Sequence, residues 1–213
     1  MIKLLLISSI TLLLLIRCAV QSPVQTPFQG KIVYKISADY IDPNDDDSSS
    51  YQIVYAKDSM LRVENFTPIG KQIYIKHIPK NRAYILMDVF TERLAIQSIP
   101  EPPPNEGKYV FTPQRKTKKI AGKKANQIHV EIPEIDSIFT MYYYPDIPGK
   151  YSEAIPGLNG LPAKYTLYSN GIFFDYEVIS IEQYTTERDL FGIPTDHRII
   201  TMEEFIEMIQ EGE

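Results

Sequence analysis

"AKYTLYSNGIFFDYEVISIEQY", Ala163 to Tyr184, is the stretch whose reading decides the fold. Two segments rich in aromatic and β-branched residues flank Asn170-Gly171. Asn-Gly between alternating segments is the strongest short-range signal for a two-residue hairpin, because both turn residues tolerate positive φ. Directly ahead lies "PGLNGLPAKYTL", Pro156 to Leu167, where Pro-Gly and Gly-Leu pairs punctuate a short apolar loop before the strand begins. A long hairpin entered through a punctuated loop is an antiparallel β signature.

Working outward, the same alternation recurs along the chain. In "FQGKIVYKISADYI", from Phe28, the residues Ile32, Tyr34 and Ile36 share one face and Val33, Lys35 and Ser37 the other. "YQIVYAKDSMLRVENF", from Tyr51, turns at Lys57-Asp58-Ser59 and runs back. "GKQIYIKHI" and "NRAYILMDV" flank Pro79-Lys80 as a further hairpin, which "TERLAIQSI" continues. These segments form a meander of antiparallel strands with short connections. "SIFTMYYYPDI", from Ser137, alternates Ile138, Thr140, Tyr142 and Tyr144 against Phe139, Met141 and Tyr143. Both its faces are apolar or aromatic, so it is buried on both sides or faces a core on one side and an apolar cavity on the other. "DPNDDDSSS", Asp42 to Ser50, and "PEPPPNEG", Pro100 to Gly107, are breaks. The first lacks the glycine and closing glutamate of a calcium loop and reads as a solvated turn region. The second is too proline-rich for a central strand.

The chain closes with "ITMEEFIEMIQEGE". Thr201 with Glu204 three residues on is a capping box, and Met202, Phe205, Ile206 and Ile209 form an apolar stripe to pack on a sheet. The fold class is mainly β (α+β): a curled antiparallel sheet or half-open β-barrel of roughly ten strands with a C-terminal helix packed on it, a closed up-and-down barrel being the alternative.

Composition agrees. Of 213 residues 44% are hydrophobic, enough for a core, and 15 Tyr and 9 Phe with no Trp favour a pleated surface. The formal net charge is −5, which argues against a nucleic-acid partner. Residues 1–22 read as a signal peptide. After Met1-Ile2-Lys3, the run Leu4 to Ile16 has only Ser8, Ser9 and Thr11 as polar members. It is shorter than the ~20 residues of a bilayer span. Its removal takes Lys3 and Arg17 and leaves a net charge of −7. Cys18, the only cysteine, ends the run, so the remaining chain holds no disulfide. "LLIRC" places leucine three residues before it, as in a lipoprotein signal, although Arg17 stands where a small residue is wanted. The two readings are lipidation at Cys18, which ties the protein to a membrane, and ordinary secretion. Residues 23–27 are a linker and 28–213 one β-rich domain. The expected location is across the inner membrane, in the periplasm or at the outer membrane.

Five lysines, Lys116, Lys118, Lys119, Lys123 and Lys124, surround Gly122. They read either as a surface for anionic lipid headgroups or as a solvated edge that lysines protect from aggregation.

Chemistry-bearing patterns are sparse. His77, His129 and His197 have no metal-ligand spacing, and neither a Gly-x-Ser-x-Gly elbow nor a phosphate-binding glycine loop occurs. No catalytic residue, metal or cofactor is assigned.

"KKIAGKKANQIHVEI", "MYYYPDI", "GLNGLPAKYTL", "GIFFDYEVISIE" and "LFGIPTDHRIITMEEF" together resemble the GLPGLI family and related envelope proteins of unknown function. These are similar to the LolA/LolB lipoprotein carriers, an unclosed barrel whose concave face is covered by helices. The resemblance covers about Phe28 to Met208. Asn159 splits the Gly-Leu elements and no Trp precedes the loop, which departs from the fuller GLPGLI pattern. The resemblance implies a compartment, a fold and a hydrophobic-ligand cavity, and it carries no catalytic residues. The expected function is non-enzymatic binding or carriage of a lipid or other hydrophobic ligand. The alternative is an envelope interaction protein with a filled core and a protein partner. The ligand-binding candidates are Tyr142, Tyr144, Leu158, Leu161, Phe173 and Phe205. The loop around Leu158 and Leu161 closes over the interior as a rim, or plugs the core.

Overall fold

The structure, a computed structural model, describes residues 27–38, 51–67, 70–89, 91–98, 109–132, 137–169 and 171–211. The signal segment, Cys18, nearly all of the linker, both break loops and Asn170 lie outside the described residues.

Twelve strands form one sheet: β1 (Gly30–Ala38), β2 (Tyr51–Lys57), β3 (Met60–Thr67), β4 (Gly70–His77), β5 (Arg82–Val89), β6 (Glu92–Ser98), β7 (Val110–Ile120), β8 (Lys123–Ile132), β9 (Ser137–Tyr144), β10 (Leu161–Ser169), β11 (Ile172–Gln183) and β12 (Arg198–Thr201). Among the described residues one α-helix, α1 (Met202–Glu211), follows. The strand order is β12-β6-β5-β4-β3-β2-β1-β11-β10-β9-β8-β7, so the sheet is open, with β12 and β7 at its edges. The expected β-rich class with a closing helix holds. The strand number is twelve instead of roughly ten, and the sheet does not close on itself among the described residues.

The local signals explain most neighbours. Asp58 and Asn81, both at positive φ, turn the β2–β3 and β4–β5 hairpins. Ala121 and Gly122, again at positive φ, turn β7 into β8 in the middle of the lysine cluster. Ser169 faces Ile172 across the β10–β11 hairpin. β1 then pairs with β11 on one side and β2 on the other, which joins the two halves of the chain into one sheet.

Among the described residues only β12 pairs in parallel, beside β6. The reason lies in the preceding segment, 184–197. It crosses one face of the sheet and lays Phe191, Leu190 and Ile193 on Ile75, Leu86 and Ala95, so the chain reaches the β6 edge running in the same sense as β6. Helix α1 then turns back over the other face. The capping box forms as expected, Glu204 N–H donating to Thr201 Oγ1 at 3.1 Å and Thr201 N–H to Glu204 Oε2 at 2.7 Å. Met202, Phe205 and Met208 pack against Leu94, Ile96 and Ile200. Ile206 and Ile209 of the expected stripe are exposed instead, because the sheet contact follows positions 202, 205 and 208.

On the face beneath the 184–197 crossing, Glu64 is only 6% exposed. It accepts from Arg62 Nε at 2.8 Å and pairs with Lys71 at 2.7 Å, while Arg62 Nη1 donates to the Leu190 carbonyl at 3.0 Å. Burial raises the Glu64 pKa, but the hydrogen bonds from Lys71 and Arg62 outweigh it and hold the carboxyl below its ordinary value of 4.5. Its stabilisation is therefore complete above pH 4.5 and fades as pH falls through the lowered folded value. Glu64→Gln is expected to cost about 2 kcal/mol near neutral pH, and its deficit against wild type is expected to shrink below pH 4.5 in urea melts taken across pH.

Candidate functional site

The main core joins Ile32 and Tyr34 of β1 to Leu161, Ala163 and Tyr165 of β10 and to Val178 of β11. It is capped by the loop 145–160, whose Ile147, Tyr151, Ile155 and Leu158 are buried. Two buried hydroxyls tie this core together. Tyr34 donates to the Pro162 carbonyl at 2.9 Å, and Tyr144 to the Ile120 carbonyl at 2.8 Å. Burial pushes both phenols far up in pKa, so they act as neutral donors.

The loop crosses the face as a strap. Tyr151 donates its hydroxyl to the Asp58 carbonyl at 2.9 Å in the β2–β3 turn, and Glu153 is ion-paired with Lys76 of β4. The strap is stapled to itself, Leu161 N–H donating to Ile147 O at 3.0 Å and Gly160 N–H to Leu158 O at 2.9 Å. Its glycines are obligatory. Gly160 has φ +144, and a Cβ there would lie 2.5 Å from the Tyr144 carbonyl oxygen; a Cβ on Gly149 would lie 2.6 Å from that of Leu158.

Between the strap and the start of α1 the same face is left open as a cleft of about 1340 Å³. Its floor is β1 to β5, read in rows across the sheet. Val54, Val63, Tyr74 and Ile85 are successive cross-strand partners and form an apolar row. Tyr34, Gln52, Asn65 and Gln72 form the row on one side of it, and Leu61 and Lys76 belong to the row on the other. Ile155 and Leu158 of the strap form one wall and Met202 of α1 another.

The six candidates from the sequence separate. Leu158, 8% exposed, lines the cleft. Tyr144 and Leu161, both 0% exposed, are core. Tyr142 packs against that core, and Phe205 lies under α1 against the sheet. Phe173 is 44% exposed and touches Tyr168 and Phe139. The strand expected to be apolar on both faces, β9, leaves Ile138 67% exposed. The residues missed were Gln52, Asn65, Gln72, Tyr74 and Lys76. The two tight turns beside them fix their register, so they were within reach of hairpin counting.

No cluster of metal-ligating side chains occurs among the described residues. His197 Nδ1 lies 2.9 Å from Asp196 Oδ1, and Arg93 also pairs with Asp196, beside a smaller pocket that shares Gln72 and Ile73 with the cleft. Of the lysine cluster, Lys118 pairs with Glu177 and Lys123 with Asp146, and β7 is an edge strand.

No family model and no curated protein matches the chain. Among solved structures it is similar to PNGF-II in two crystal forms, each at a TM-score of 0.53, with 18% and 17% identity over 86% of this chain. The chain spans about a third of the length of PNGF-II, 33% and 34% in the two cases. At that identity the likeness shows the fold alone.

Leu158 and Leu161 differ in what they face, so they are expected to respond differently. Leu161→Ala should cost about 3 kcal/mol in urea unfolding, as for a fully enclosed leucine. Leu158→Ser should cost less and leave a folded protein. Equal, large losses for both would make the strap a core plug with no separate role at the cleft.

Proposed function

We propose that the chain is a non-enzymatic binding protein of the cell envelope that holds a lipid or other hydrophobic ligand on the concave side of a curled, half-open sheet. It is secreted across the inner membrane and resides in the periplasm or, lipidated at Cys18, at the outer membrane. This extends the GLPGLI-like and LolA/LolB-like resemblance of the sequence.

The cleft is the observation that carries the reading. Its volume of about 1340 Å³ exceeds the ~300–1,000 Å³ typical of small-molecule pockets, and an apolar row runs along its floor. Support for curling comes from the β7 end, where Lys118 lies 3.4 Å from Glu177 of β11 although three strands separate them in the sheet. The strap and α1 stand on either side of the opening as its walls.

A second reading has its own support. Tyr168 and Phe173 are exposed and touch each other, and Phe173 touches partly buried Phe139, at the β9–β10–β11 end. Such a patch fits the alternative of an envelope protein with a protein partner.

Native mass spectrometry of protein purified with its own signal, followed by organic extraction, separates these readings. A stoichiometric non-covalent apolar ligand is expected; an acyl-glyceryl adduct at Cys18 would place the protein at the outer membrane, and its absence would place it in the periplasm. A folded protein with a clean apo mass after gentle purification would contradict the binding reading and favour the interaction protein.

A further inference from the structure

The apolar row of the cleft is bordered on one side by carboxamides. Gln52 faces Asn65 and Asn65 faces Gln72 across β2, β3 and β4, and neighbouring strands lie about 4.8 Å apart. Three amides thus stand in a line across the sheet, beside Val54, Val63 and Tyr74, which occupy the adjacent row. Gln52 Nε2 donates to Asn65 Oδ1 at 2.9 Å, which orients the pair and leaves the Gln52 oxygen and the Asn65 nitrogen available. Gln72 has no side-chain partner among the described residues.

Among the described residues that line the cleft, the charges cancel. Lys76 is paired with Glu153, Lys150 lies over the Tyr151 ring at 5.1 Å, and Glu203 stands at the start of α1. Among the described lining residues these two cations and two carboxylates leave no net surplus of either sign to hold a phosphate, a carboxylate or an ammonium group. The Tyr74 phenol is held neutral, because burial and then the Glu153 charge push its pKa well up.

We propose that the cleft takes an amphiphile with an uncharged, hydroxyl-rich head: the alkyl chain lies along Val54, Val63 and Ile85, and the head hydroxyls bond to Gln52, Asn65 and Gln72. A carboxamide presents a donor and an acceptor side by side, and each hydroxyl of a polyol also donates and accepts, so a row of amides matches adjacent hydroxyls without any net charge. A fully apolar ligand would leave those amides without partners when it displaced their water, at a cost for each. This inference rests on the proposed ligand-binding function and narrows it.

The test compares three amphiphiles of one chain length on the full chain stripped of bound lipid, each below its micelle concentration: dodecyl maltoside, dodecanoate and dodecyltrimethylammonium. Calorimetry is expected to show dodecyl maltoside binding at least tenfold more tightly than either charged amphiphile. Q52L/N65L is expected to abolish that preference while retaining binding of the alkyl chain, with folding checked by circular dichroism. Q72L serves as the independent variant should the double substitution fail to fold, and is expected to narrow the preference. Equal or tighter binding of a charged amphiphile would overturn the inference and leave the binding function standing. A preference unchanged in the variants would also overturn it. No binding by any of the three would bring down the binding function and the inference together.

Discussion

Tyr151 reaches across the open face of the sheet and donates its hydroxyl to the carbonyl of Asp58, at the tip of the β2–β3 hairpin. The remaining architecture of the cleft depends on this crossing. An open twelve-stranded sheet leaves one long face with no second layer of its own. The segment 184–197 covers the opposite face, and α1 covers only the β12-β6-β5 end of the cleft side. The loop 145–160 must therefore supply the missing layer over β1 to β3. It does so with four buried apolar side chains and the Lys76–Glu153 ion pair. What it does not cover becomes the cleft.

The same constraint explains why core and cleft lie side by side. Tyr34 belongs to both, its ring packed edge-on against Tyr165 and its hydroxyl fixed by Pro162, while its row continues through Gln52 and Asn65 into the open part. On the strap side every position in these rows is apolar or internally bonded, as close packing without solvent demands. Beyond the strap the rows mix valine and isoleucine with amides, tyrosine and lysine. Such a mixture is tolerable only on a wetted surface or against a ligand with groups of both kinds. The cleft, at about 1340 Å³, has room for the proposed ligand.

Much of this was legible in the sequence because it is local. Asn170-Gly171, Lys57-Asp58-Ser59, Pro79-Lys80 and Gly122 each mark a hairpin that forms, and Thr201 with Glu204 marks the start of the helix. Alternation told which residues of a strand share a face. It did not tell which face is covered by what, since that depends on the pairing of β1 with β11 and on the path of 184–197, both set by distant segments. For this reason Phe173 and Ile138, apolar and in phase, were read as interior and are exposed at the end of the sheet. Tyr144 and Leu161 were read as ligand contacts and fill the core. Leu158, read as either a rim or a core plug, is buried in the core cluster and also lines the cleft. Helix α1 was found, but rotated: its contacts follow Met202, Phe205 and Met208, and the solvent-facing Ile206 and Ile209 have the hydropathy of buried residues without their position.

The central claim is that the space between the strap and α1, and not the exposed aromatic patch, is where a ligand sits. Methyl-resolved NMR of isoleucine, leucine and valine during titration with dodecyl maltoside addresses it directly. The account predicts concentration-dependent shifts at Val54, Leu61, Val63, Ile85 and Leu158, with Ile138 unmoved. Shifts at Ile138 that leave the cleft methyls in place would contradict it.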